Sequence, residues 1–154
     1  MFENRVTNSA PTFSVIVPTR GRPAQLTACL DSLQTLNFPA QDFEVIVVDD
    51  GSPATVDHIV APITRPKRVV LLRTTHAGPA AARNAGAQVA QGRFVAFTDD
   101  DCRVEASWLE RLGAILAHRP DQMVGGPVLN RLAQNNYAVA SQVILDRSAL
   151  PPAP

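Results

Sequence analysis

The chain has 154 residues, enough for one domain with a real core, and an ordinary balance of apolar and charged residues. Its formal net charge is zero, which argues against a broad electrostatic footprint for nucleic acid. Lys67 is the only lysine, so the positive charge is almost all arginine. Cys29 and Cys102 form no CxxC pair and have no histidines at zinc spacing, and a reduced, cytoplasmic setting is expected. The start lacks a signal-peptide core, and no run approaches the roughly 18 apolar residues of a membrane span. Any membrane association is expected to be peripheral.

Residues 1–11 are polar and read as a loose leader. Phe13 to Val17 predicts a strand, closed by Pro18, and the loop Thr19-Arg20-Gly21-Arg22 follows. A helix is expected from Pro23 to Leu36, because Leu26, Cys29, Leu30 and Leu33 recur at three- and four-residue spacing and proline is tolerated in a first turn. Phe43 to Val48 is a nearly continuous apolar run, as in a parallel strand buried on both faces, and Asp49-Asp50-Gly51-Ser52 follows it. A weak helix is expected over 55–61 and a third strand over 68–72. Thr75-His76-Ala77-Gly78-Pro79 then opens an Ala-rich helix to Ala90, whose small residues Ala82, Ala85 and Gly86 would let it lie close to a sheet. Gly92 is placed as its C-terminal stop.

Phe94 to Phe97 predicts a fourth strand that runs directly into Asp99-Asp100-Asp101. Adjacent carboxylates repel unless a cation, a basic side chain or water separates them. On an extended backbone Asp99 and Asp101 point the same way, while Asp100 points away and caps the next helix. Mg²⁺ and Mn²⁺ take oxygen ligands, so this strand end is a candidate metal–phosphate site. The next helix is expected over 107–118, with Trp108, Leu109, Leu112, Ile115 and Leu116 as its stripe. A glycine-interrupted fifth strand over 121–129 and a last helix over 135–148 complete the expectation.

Alternating strands and helices predict an α/β fold with a mostly parallel central sheet between helical layers. Right-handed crossovers would bring the loops after all four strands to one edge, where such sheets bind ligands. The first turn has no G-x-G-x-x-G, so a dinucleotide cradle is missing. A phosphate-accepting receiver is a lesser alternative. It would explain the acids but normally needs a lysine after a late strand, and none follows Lys67.

Four segments together resemble the family 2 glycosyltransferases of the GT-A nucleotide-sugar fold. They are Phe13 to Arg20, Glu44 to Ser52, the G-x-x-x-A-R-N-x-G run Gly78 to Gly86, and the D-x-D at Asp99 to Asp101. The resemblance spans about 12–130 in the right order, with 131–154 as the start of an acceptor-side region or tail. It implies a Rossmann-like three-layer α/β/α core and a metal-dependent, inverting transfer from a nucleoside diphosphate sugar, UDP-sugar favoured. The acceptor would be a carbohydrate or lipid-linked hydroxyl. It further implies that Pro18, Thr19 and Arg20 line the nucleoside pocket and that Asp49 accepts from the base. Arg83 would face the diphosphate, Asp101 would bind Mg²⁺ or Mn²⁺, and Asp99 would serve the ribose or the metal. Asn84 supports local backbone, and Gly78 and His76 border the site, with His76 as mere loop surface the alternative. The family's catalytic base lies beyond residue 130; Asp146, the only later acid after Asp121, has no acidic neighbour and is not assigned. The chain is expected to stop short of the acceptor half. The alternative is a non-catalytic nucleotide-sugar-binding module or fragment, and an uncovered sheet edge would drive a homo-oligomer.

Overall fold

A computed structural model describes residues 10–66 and 68–129. The contacts divide the chain into two units, Met1–His118 and Arg119–Pro154. Eight elements lie in the first: β1 (Phe13–Thr19), α1 (Pro23–Gln34), β2 (Phe43–Asp50), α2 (Asp57–Val60), β3 (Arg68–Thr74), α3 (Pro79–Val89), β4 (Phe94–Phe97) and α4 (Trp108–His118). The strands form one sheet in the order β3-β2-β1-β4, and every pairing is parallel.

The sheet is parallel because each strand is followed by a helical crossover, and its central strands are buried on both faces. β1 and β2 are buried along their whole length, whereas edge strand β3 is only half-buried. Register sets Ile16 beside Ile46 and Val15 beside Val45, so each face carries a continuous apolar row. Ile16, Ile46 and Val48 meet Ala82 of α3, with Val70, Leu72 and Ala85 against them. The opposite face carries Phe13, Val15, Val17, Val45 and Val47, all buried. Phe13 stacks edge-on against Phe38 at 5.6 Å between centroids, and Gly113 of α4 lies against its ring.

Strand order makes the faces distinct. From β1 to β3 the chain steps one way across the sheet; from β3 to β4 it crosses back. Right-handed crossovers therefore send α1 and α2 to one face and α3 to the other. The order reverses between β1 and β4, and at such a switch point the strand ends open a crevice for ligands.

Small residues let α3 sit low on the sheet, as expected. A Cβ on Gly86 would stand 2.7 Å from Cγ2 of Ile16. Gly92 differs from its expected role as a helix stop. The helix ends at Val89 with extended Ala90 as its cap, and Gly92 is instead a point of close approach. A Cβ there would lie 2.4 Å from the Ser14 nitrogen. Beside it, buried Glu44 accepts hydrogen bonds from Ser14 (2.5 Å) and the Gln91 N–H (2.7 Å) and pairs with Arg68.

β1 continues through Pro18 instead of closing before it. On the β4 side, pairing ends at Ile16, whose carbonyl accepts from the Thr98 N–H at 3.2 Å. Period two places Pro18 on that same side, one rung past the last bond, where no N–H is required. The fifth strand expected over 121–129 is not formed. Gly125, Gly126 and Pro127 disfavour strand there, and Met123, Val128 and Leu129 stand exposed without a ladder partner among the described residues. The expected last helix and Asp146 lie outside the described residues, as do residues 1–9 of the leader.

Candidate functional site at the carboxyl edge of the sheet

The loops after the four strands meet at one edge and are joined by hydrogen bonds. β2 supplies the first link. Asp49 and Asp50 are its last two residues, both 4% exposed. Strand alternation sends their side chains to opposite faces. Asp50 follows Val48 onto the α3 face. There Oδ1 accepts from the Ala77 N–H (2.8 Å), and Oδ2 from the Gly78 N–H (3.0 Å), with His76 Nδ1 at 2.8 Å. The Ala77 N–H above all, then His76 and Gly78, holds the Asp50 carboxyl below the usual carboxylate range, against the upward push of burial. Asp50 thereby fixes the loop that leads into α3. Gly51, at φ +70°, allows this closeness: a Cβ there would meet the His76 nitrogen at 2.9 Å.

Asp49 turns the other way. Its Oδ1 accepts from the Ser52 N–H at 2.9 Å, and Ser52 Oγ accepts from the Gly21 N–H at 2.9 Å. The loops after β1 and β2 are thus tied through one serine. The second oxygen of Asp49 makes no side-chain bond within the described residues.

The β4 end is built differently from the sequence expectation. Its three acids do not continue an extended strand; the Cys102 N–H donates to the Asp99 carbonyl at 3.0 Å and closes a turn. Asp100 points away from its two neighbours, but it does not cap α4, which begins only at Trp108. It is buried across the switch point, where Thr19 Oγ1 donates to its Oδ2 at 2.7 Å and Arg22 approaches Oδ1 at 3.4 Å. Asp99 and Asp101 project outward, at 51% and 54% side-chain exposure, so the expected pair is still the accessible one. Asp99 pairs with Arg83, which α3 turns toward this edge. Asp101 pairs with Arg22 at 3.1 Å.

Of the residues expected at the site, Thr19, Asp49, Arg83, Asp99 and Asp101 enter this connected edge. Pro18 is buried beneath it. Arg20 is exposed beside it, with no ion pair among the described residues. Asn84 is exposed on α3. Sequence reasoning missed the structural weight of Asp50, Asp100, Arg22 and Ser52. Arg22 carried one signal: arginine directly before an N1 proline is a poor helix cap, and it makes no capping bond. Cys29 takes no part, whereas the Cys102 thiol lies 3.8 Å from Asp101 Oδ1. Burial pushes the Cys29 thiol up to about 12, and burial also raises Cys102.

Among the described residues, no group of three or more His, Cys, Asp or Glu side chains could hold a metal unaided. A Mg²⁺ or Mn²⁺ site commonly needs only one or two protein carboxylates beside substrate phosphates. Asp99 and Asp101 fit that requirement, being half-exposed oxygen donors on one turn. The clefts beside α2 lie elsewhere, among residues such as Thr27, Asp31 and His58 or Val60, Val69 and Leu71. No described helix is long and apolar enough to cross a membrane.

The chain is similar to several known proteins. A glycosyltransferase of PGL/p-HBAD biosynthesis from Mycobacterium bovis is 37% identical over 147 residues, covering 90% of this chain and 54% of that protein. The chain therefore spans about half the length of such curated relatives. The structure of Staphylococcus aureus TarS residues 1–349 with UDP-GlcNAc matches with a TM-score of 0.66 and 29% identity, over 75% of this chain and 37% of that one. The mannosyltransferase PcManGT from Pyrobaculum calidifontis, with GDP-Man and Mn²⁺, matches at 0.64 and 28%, over 71% of this chain and 33% of that one. The parallel sheet and these likenesses establish the α/β, Rossmann-like GT-A fold. The model of glycosyl transferase family 2 matches residues 14–151, and the chain belongs to that family.

Proposed function

We propose that residues 12–130 form the donor-binding core of a glycosyltransferase, binding a nucleoside diphosphate sugar, UDP-sugar favoured, at the carboxyl edge of the sheet. The observation that carries this reading is the bonded chain of loops from Asp50 through Asp49, Ser52 and Gly21 to Arg22, Asp100 and Asp101. It joins acids from separate crossover units into one surface at the switch point. Asp49 is anchored by one oxygen, leaving the other to accept from a base N–H. Pro18, Thr19 and Arg20 border the nucleoside. Arg83 presents a guanidinium fork suited to phosphate oxygens. Asp101, with Asp99, would hold Mg²⁺ or Mn²⁺ against the diphosphate. When bound, that cation would stabilise the negative charge of a departing nucleoside diphosphate. TarS with UDP-GlcNAc and PcManGT with GDP-Man and Mn²⁺ support the donor class.

The whole protein would pass the sugar to an acceptor hydroxyl with inversion, and its base belongs outside the described residues. Calorimetry of UDP with and without Mn²⁺ tests the donor site. Wild type should bind more tightly with the metal, and Asp101→Asn should lose that gain. Equal affinity under all four conditions would count against the assignment. A panel of UDP-, GDP- and dTDP-sugars then separates a transferase from a binding module: binding without transfer or donor hydrolysis favours the module.

A further inference from the structure

We propose that Arg22 couples the divalent cation to the donor, competing with a free cation for Asp101 and moving to the diphosphate when cation and donor enter together. The inference rests on the donor-site reading above. Arg22 breaks a local preference, because it places a cation at the N-terminus of α1, where the helix dipole disfavours positive charge and a capping acceptor is usual. What it gains lies across the switch point: Oδ2 of Asp101 at 3.1 Å and Oδ1 of buried Asp100 at 3.4 Å. A residue that opposes its own helix to meet two acids far along the chain is a candidate for function at that meeting point.

Charge balance gives the coupling its direction. Three carboxylates, Asp99 to Asp101, face two guanidinium groups, Arg22 and Arg83, which leaves one net negative charge. A dication alone would reverse that sign and must displace Arg22 from Asp101. A dication bound to the diphosphate of a nucleotide sugar is nearly neutral and leaves the balance unchanged. The displaced guanidinium then has phosphate oxygens to bind, and its planar fork suits them. The Arg22 side chain is 53% exposed, so it is free to swing between these partners. Asp100 is held by Thr19, so the turn keeps its place when Arg22 moves.

The test is Mn²⁺ binding by calorimetry and by electron paramagnetic resonance, with and without UDP, for wild type, Arg22→Gln and Arg22→Lys. Without UDP, Arg22→Gln should bind Mn²⁺ about two- to fivefold more tightly, the range of an exposed ion pair released. With Mn²⁺ present, the same variant should bind UDP about tenfold or more weakly, the loss of a charged hydrogen bond. Arg22→Lys keeps the positive charge and should leave the Mn²⁺ arm near wild type. A purely structural role would move both arms the same way or neither. Unchanged or weaker Mn²⁺ binding by Arg22→Gln, or unchanged UDP binding, would overturn the coupling while wild-type binding of UDP with Mn²⁺ still upheld the donor site. No binding by wild type in either arm would overturn both.

Discussion

Gly86→Ala sets two effects of known size against each other. Within a helix, alanine is favoured over glycine by about 1 kcal/mol. Here the new Cβ would stand 2.7 Å from Ile16 Cγ2, 3.1 Å from Val48 Cγ2 and 3.4 Å from Ile16 Cδ1. Carbon pairs settle at about 3.5–4.0 Å, so the closest contact is short by roughly 0.8 Å. Ile16 and Val48 are fully buried and stiff at χ1, so neither can turn aside. Overpacking of this kind costs about 1–3 kcal/mol. The net expectation is a loss of about 0–2 kcal/mol, with α3 lifted from the sheet. Arg83 rides on α3 and would be drawn from Asp99, so donor binding should weaken as well. Urea denaturation reads the first effect as a lower midpoint at unchanged slope, and UDP calorimetry with Mn²⁺ reads the second. A variant stabilised by about 1 kcal/mol with unaltered binding would show that helix propensity alone governs the site and that α3 has room to spare.

Thr19→Val removes the shorter of two bonds to buried Asp100 while keeping the side-chain shape. Stability should fall by about 1–3 kcal/mol in denaturant titrations, because the carboxylate stays buried with one partner fewer, and a change below 0.5 kcal/mol would contradict the structural role of that bond. Asp50 predicts a pH dependence. Its folded value is lowered from the ordinary 3.8, so its stabilisation is present above 3.8 and is lost as pH falls through the lowered value. Asp50→Asn should therefore flatten the acid limb of Tm against pH, and an acid limb identical to wild type would show that other carboxyls carry it.

The central strands were legible because a parallel strand covered on both faces must be apolar almost without interruption. Val15 to Val17 and Val45 to Val48 show that directly, and β2 merely runs two residues further than its apolar stretch. The helices of the crossovers were legible from period and from Pro23 and Pro79 at their starts. The segment 121–129 was not. An apolar run becomes a strand only by pairing, and glycines and proline weaken that choice. At the site, Asp99 and Asp101 share an exposed side through a turn, not through strand alternation, although local order did identify which loops carry acids. Which acid would be buried was beyond it. Asp100 is internal because Thr19, 81 positions earlier, donates to it, and no window of sequence contains both.

By itself the sequence determined a parallel α/β sheet, the edge at which its acidic loops collect, and a family resemblance that comparison with known proteins established. Only the tertiary structure decided how those loops are joined: Asp50 to the start of α3, Ser52 to Gly21, and Arg22 to Asp100 and Asp101. The reason is physical. Periodicity and propensity are properties of neighbours in the chain, whereas a carboxylate's partner is set by the crossovers that fold distant residues against it.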